Sequence, residues 1–147
     1  MKYVYLCGRY ERKAELLSYA NRLKLKGCEI GSNWLYDIVD ESRATVLHSN
    51  PMIDIASAND IAKRNFRDIK YADIFISFTE YPGTLSRGNR HIEFGYALGL
   101  AQTRLASSRL KLIIVGPVEQ VLYADPAIPR FNSFEELVRA RRPDIWQ

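Results

Sequence analysis

Cysteine is nearly absent: Cys7 and Cys28 are the only two in 147 residues, and neither stands in a Cys-x-x-Cys or Cys/His cluster. That excludes a disulfide framework and zinc sites of the usual spacing, and it predicts a reduced compartment. Long apolar runs are missing too. The longest, such as Leu112 to Val115, fall far short of the roughly 20 residues that a spanning helix needs. The amino-terminal segment lacks the hydrophobic stretch of a secretory signal, so a cytoplasmic protein without membrane attachment is expected. Neither Gly-x-Gly-x-x-Gly nor Gly-x-x-x-x-Gly-Lys-Ser/Thr occurs, which disfavours a dinucleotide oxidoreductase and a P-loop nucleoside triphosphatase. No basic stripe interleaved with aromatics appears, so dedicated nucleic-acid binding is not expected. Internal repeats and low-complexity tracts are also lacking.

What remains is the composition of an ordinary globular chain, 47% hydrophobic and 26% charged, with enough length for one core and too little for a (β/α)₈ barrel. Residues 1–147 are therefore expected to form a single domain. The net charge of +4 and pI near 9.1 lean towards an anionic ligand, although a solvated basic surface gives the same values. Arg139, Arg141 and Arg142 follow the last predicted helix, where cations complement the helix dipole.

Lys2 to Cys7 is rich in β-formers and ends at Gly8, which predicts a first, buried strand. Glu11 to Lys26 spaces Leu16, Leu17, Ala20, Leu23 and Leu25 near helical period before a stop at Gly27. Cys28 to Leu35 is a weaker strand, followed by a polar stretch to about Pro51 that reads as a loop over a site. Asp54 to Tyr71 is a helix with Ile55, Ala58, Ile61, Ala62, Phe66 and Ile69 near one face. Asp73 to Phe78 and Lys111 to Val115 are strong strands, with a helix between them running to about Leu105. Ile128 to Phe131 is a last short strand, and Ser133-Phe134-Glu135-Glu136 has capping-box spacing for a helix ending near Arg141. The alternation implies a mostly parallel sheet covered on both sides. Ligands of such sheets bind beyond the carboxyl ends of the strands, near the point where strand order reverses. The loops so selected are Gly8-Arg9-Tyr10, Thr79 to Asn89, and Gly116-Pro117.

The helix after the longest of these loops opens with Arg87-Gly88-Asn89-Arg90-His91-Ile92-Glu93-Phe94-Gly95-Tyr96-Ala97-Leu98-Gly99-Leu100. Counting from Glu93, positions i+3, i+4 and i+7 are Tyr96, Ala97 and Leu100, so one carboxylate shares an otherwise apolar face. Near a helix N-terminus the dipole favours the ionised form, which suits a nucleophile or an electrostatic stabiliser. The alternative is an N3 residue closing a capping arrangement.

This block, with Tyr5-Leu6-Cys7-Gly8 and Ala72-Asp73-Ile74-Phe75-Ile76, resembles the nucleoside 2-deoxyribosyltransferase family, whose relatives include the 2′-deoxynucleoside 5′-monophosphate N-glycosidases. The resemblance runs from Met1 to about Phe131 and includes Val115-Gly116-Pro117-Val118-Glu119-Gln120. The Glu93 block is its specific part, since Ala-Asp followed by apolar residues is common in α/β proteins. The resemblance implies an α/β, flavodoxin-like and Rossmann-like three-layer sandwich with a mostly parallel five-stranded sheet. It further implies homodimers or higher homo-oligomers with shared active sites, and no cofactor or metal. Glu93 would attack C1′ of a 2′-deoxynucleoside and form a covalent glycosyl-enzyme. The sugar would then pass to another base or, as in the monophosphate N-glycosidases, to water. The small-molecule partners would be a deoxynucleoside or deoxynucleotide and a free base.

The same resemblance assigns the other candidate residues. Tyr5 would lie beneath the sugar and donate to Glu93; as a strand tyrosine it is also a core candidate. An aspartate commonly found on the helix before the middle strand is replaced here by Asn65, which can hydrogen-bond but cannot relay a proton as an ionised group. Asp68, three residues on, or Asp60 would then supply the charge, unless both are solvated surface acids. Gly8 would permit backbone approach to the ligand. Arg9, Ser86, Arg87 and Gly88 are candidates for a 5′-phosphate, because guanidinium, hydroxyl and loop amides suit that group. Arg87 and Arg90 read equally as exposed cations, and His91 points away from Glu93. Glu119 and Gln120 fall in a segment that in this family reaches a neighbouring subunit's site, or they form a surface turn. The competing class is a noncatalytic nucleotide-binding module, supported by Asn65 in place of an acid.

Overall fold

The computed structural model describes residues 1–37, 47, 50–105 and 109–147. Most of the polar stretch expected to form a loop over the site lies outside the described residues. Five strands form one sheet: β1 (Tyr3–Cys7), β2 (Glu29–Ile30), β3 (Ile74–Phe78), β4 (Lys111–Val115) and β5 (Arg130–Phe131). All pairings are parallel, and the order is β2-β1-β3-β4-β5. This is the doubly wound, flavodoxin-like order, whose direction of growth reverses between β1 and β3. β1, β3 and β4 read as near-continuous apolar runs because both of their faces are covered; every residue of β3 is buried.

Helices α1 (Lys13–Leu25), α2 (Ile55–Tyr71), α3 (Asn89–Thr103), α4 (Phe134–Arg139) and α5 (Pro143–Trp146) supply the outer layers. On one face α1 meets α4 through Tyr19 stacked on Phe134 at 4.1 Å, both rings against Phe78 of β3, and through the exposed Arg22–Glu135 ion pair. On the other, α2 and α3 meet through Phe66 edge-on to Tyr96 at 5.0 Å. Phe94 of α3 lies against Phe75, and Tyr123 packs on Phe94 at 4.4 Å. Among the described residues no helix is long and apolar enough to cross a membrane.

Three local readings of the sequence need correction. The strand expected over Cys28–Leu35 shrinks to Glu29–Ile30, because the chain turns at Gly31 and Ser32 into a 3-10 turn, Asn33–Tyr36. Side chains then complete the β1 edge: the Ser32 hydroxyl accepts from the Leu6 amide, and the Trp34 indole donates to the Leu6 carbonyl at 3.0 Å. The face proposed for α2 is buried only towards its end, where Ile69 is sealed while Ile55 and Ala62 are exposed. Ser133 does cap α4, accepting from the Glu136 amide at 3.2 Å, but the Glu136 carboxylate reaches the Asn132 amide instead of closing the box, and the helix stops at Arg139.

The carboxyl ends of β3 and β4 are drawn together at one glycine. Gly116 has φ +123°, and a Cβ there would lie 2.5 Å from Thr79 Oγ1 and 3.0 Å from the Thr79 carbonyl. The contact is fastened by the Thr79 hydroxyl donating to the Pro117 carbonyl at 2.7 Å. Gly116→Ala therefore combines backbone strain with a clash against main chain, and should cost on the order of 2 kcal/mol or more. Urea denaturation checks this; a midpoint equal to wild type would contradict it.

Candidate active site

Side chains two apart on a strand project to the same face, so Tyr5 and Cys7 of β1 both point at the helix that follows β3. There they meet Glu93. The Tyr5 hydroxyl donates to Glu93 Oε1 at 3.0 Å, the Cys7 thiol to Oε2 at 3.2 Å, and Asn65 Nδ2, arriving from α2, to Oε1 at 3.4 Å. Two elements thus converge on a carboxylate carried by a third, beside the β1/β3 switch point. Glu93 remains partly exposed, so it is neither sealed in the core nor free in solvent.

The helix end that presents Glu93 is built by Gly88, which takes φ +84° as the cap and offers no side-chain bond to the first turn. Glu93 is consequently the fifth residue of α3, and the N3 capping reading is overturned. Burial raises the Glu93 carboxyl above its ordinary value, while the bonds from Cys7, Tyr5 and Asn65 pull it back down. The donors themselves stay protonated. Burial, together with the charge of Glu93, pushes the Tyr5 phenol and the Cys7 thiol well up. Tyr5 is both core residue and donor, fully buried and stacked on Phe75 at 5.5 Å.

Around this centre the other candidates separate. Asp68 is not a solvated acid: it is buried and accepts from the Asn33 amide at 3.2 Å and from Asn33 Nδ2 at 3.1 Å, tying α2 to the turn after β2. Asp60 is exposed. Arg64, next to Asn65, makes two 2.7 Å bonds to the Asp37 carboxylate. Gly8 serves packing, since a Cβ there would lie 2.9 Å from Leu16 Cδ2 of α1. Arg9 is half-buried, with Nε 3.6 Å from Glu11.

At the start of α3 the reading of Arg90 as an exposed cation fails. Its side chain is 4% exposed and forms a two-pronged ion pair with Glu119, 6% exposed. Glu119 also accepts from the Glu80 amide at 2.8 Å and lies 3.7 Å from His91 Nε2. Its carboxylate is therefore committed within its own chain, while Gln120 is exposed. His91 does point away from Glu93, with Nδ1 2.7 Å from the Tyr123 hydroxyl. Burial and the Arg90 charge lower its pKa. Ser86 Oγ accepts from the Gly88 amide at 3.4 Å, and Arg87 is exposed.

Sequence reasoning passed over Cys7 and the Arg90–Glu119 pair. The first had a signal, the two-residue spacing from Tyr5; the second pairs residues 29 apart and had none.

A cleft of about 280 Å³ opens at the ends of β3 and β4, lined by Arg12, Phe78, Thr79, Glu80, Gly116 and Phe134 among others. A second, of about 550 Å³, lies near Lys2, Cys28 and Trp146. Glu93 lines neither. What the Glu93 constellation can do chemically is hold an ionised carboxylate in one rotamer with neutral donors and, among the described residues, no salt bridge. That leaves its charge available to a cationic centre.

No protein-family model matches the chain, and no curated protein does. Among solved structures, the CMP N-glycosidase BcmB from Clostridium botulinum is similar at 18% identity, over 93% of this chain and 96% of that one, with a TM-score of 0.49.

Two stability effects follow from this geometry. A carboxyl whose folded pKa is raised contributes stability below its unfolded pKa and loses it as pH rises through the folded one. Glu93→Gln should therefore raise the urea midpoint at pH 7, with the gain fading as pH falls to about 4. A loss at both pH values would contradict this. Glu119→Gln leaves a buried guanidinium without its counter-ion and should cost about 3 kcal/mol in the same measurement.

Proposed function

We propose that this protein breaks the N-glycosidic bond of a 2′-deoxynucleoside or its 5′-monophosphate. Glu93 is the nucleophile, and the deoxyribosyl group passes to a second base, with water as the competing acceptor. The observation that carries this reading is the Glu93 carboxylate, held by the neutral donors Tyr5, Cys7 and Asn65 beside the strand-order switch point.

The chemistry follows that of a retaining glycosidase. As the C1′–N bond lengthens, its electron pair leaves with the base, and positive charge gathers on the anomeric carbon. The ionised Glu93 stabilises that charge and then donates a lone pair to form a C1′–O bond. The departing base takes a proton from water, since Asn65 has no acidic proton of its own to give. In the second half a nitrogen of the incoming base, or a water oxygen, attacks C1′. The carboxylate departs with the C1′–O pair, and the surplus proton returns to solvent. Tyr5 keeps the carboxylate in its rotamer through both halves.

For a substrate carrying a 5′-phosphate, Ser86, Arg87 and Gly88 at the start of α3 would supply hydroxyl, guanidinium and amide donors, with Arg9 added from the loop after β1. Gln120, exposed after β4, is available to sugar hydroxyls of the same or a neighbouring copy in a homo-oligomer.

The test incubates the protein with each deoxynucleoside, each deoxynucleoside monophosphate and CMP, with and without a second free base, and follows base release by chromatography. Base release should occur in wild type and fall by about 10³-fold or more in Glu93→Ala. Its acid limb should lie above the ordinary carboxylate range, because Glu93 must ionise against burial. A new nucleoside formed from the added base marks transfer; free sugar or sugar phosphate marks hydrolysis. Binding without turnover would identify a noncatalytic module, and equal inertness of both proteins across the panel would end the catalytic reading.

A further inference from the structure

The two oxygens of Glu93 have unequal partners. Oε1 accepts from Tyr5 and Asn65, whereas Oε2 accepts from the thiol of Cys7. That sulfur also lies 3.5 Å from the Arg90 carbonyl, and a thiol has one proton to give. We propose that Cys7 is a positioning residue, a switchable donor whose proton rests on Oε2 while that oxygen is free and turns to the Arg90 carbonyl once Oε2 has bonded the sugar. This rests on the reading of Glu93 as nucleophile, and it makes Oε2 the attacking oxygen.

The chemistry of an ester supports that assignment. After attack one carboxylate oxygen becomes a carbonyl oxygen, still a good acceptor, and the other becomes an ether-type oxygen, a poor one. If Oε2 attacks, Tyr5 and Asn65 keep their acceptor and only the weakest donor loses its own. Cys7 then has a second acceptor within reach, so no buried donor is orphaned. If Oε1 attacked, Tyr5 and Asn65 would both lose their acceptor. In the forward step the Oε2 lone pair forms the C1′–O bond as the C1′–N pair leaves with the base. The thiol proton stays on sulfur throughout, and nothing is oxidised or reduced.

Cys7 is fully buried on β1, which suits a fixed donor and not a reactive thiol. The charged and titratable groups that face the pair from neighbouring elements are already engaged. From α3, Arg90 is paired with Glu119, and after β4 the Tyr123 hydroxyl is engaged by His91, whose own ring points away from the pair. From α2, Asp68 is held by Asn33, and Arg64 by Asp37. Tyr5 is the remaining titratable neighbour on β1, and it shares the carboxylate.

The test is an infrared titration of Glu93, identified by the carboxyl band missing in Glu93→Gln, in wild type, Cys7→Ala and Cys7→Ser. It is paired with the pH dependence of base release and with thermal melts to verify folding. Loss of a donor to the ionised form should move the Glu93 midpoint up by about half to one pH unit in Cys7→Ala, and the acid limb of base release with it. Cys7→Ser, which restores a donor, should bring both back to wild type or below. Identical midpoints in all three proteins would overturn the role of Cys7, even with base release intact. A shifted midpoint in a protein that releases no base would uphold the thiol's hold on Glu93, while overturning the attack by Oε2 and the glycosidic reading beneath it.

Discussion

The hydrogen bond from the Tyr5 hydroxyl to Glu93 Oε1 joins the strand next to the sheet centre to the helix that follows β3. It spans 88 residues of sequence and fixes two things at once, the rotamer of the acid and the seat of α3 on the sheet, while burial above all keeps the phenol protonated. It depends on parallel strand order. Only when β1 and β3 are neighbours, with their carboxyl ends together, does a β1 side chain reach the first turns of α3. The same juxtaposition explains why Asn65 contributes, since α2 packs beside α3 on that face.

Holding a carboxylate in this place opposes stability, because desolvation disfavours the charge. The paired charges lie just beside it. Arg90 and Glu119, almost wholly removed from solvent, clamp the start of α3 to the loop after β4, and Glu119 extends the clamp to the Glu80 amide after β3. The loops after β3 and β4 are therefore fastened to one another by a buried ion pair, not by the acid at the centre. A buried pair adds little to stability against an apolar alternative but penalises any arrangement that separates its members. That is the property required of a frame around the proposed nucleophile.

How much of this was legible in the sequence follows from the range of the interactions. The core strands and α2 were readable because their signals are local: apolar runs between turn residues, and Asp54 accepting from the Ser57 amide at the head of a helix. β2 was overextended because Ile30, Trp34 and Leu35 are apolar, yet Trp34 is held by the peptide of Leu6 and not by strand pairing. Glu93 stood out as a charge among core-facing residues. Its donor Cys7 is readable from strand alternation with Tyr5, although a lone cysteine with no metal-ligand partner carries no chemistry of its own in the sequence. Arg90 and Glu119 carry no local sign of one another, and Asp68, expected either to supply charge beside Asn65 or to be a solvated surface acid, is instead buried against Asn33.

Covalent participation of Glu93 is tested most directly by acid-quenching the protein during turnover of a deoxynucleotide and mapping its peptides by mass spectrometry. A gain of one deoxyribosyl group, or its phosphate, on the peptide holding Glu93, and its absence from Glu93→Ala, is the predicted result. The same gain on a different carboxylate, or on the Glu93→Ala protein, would contradict it.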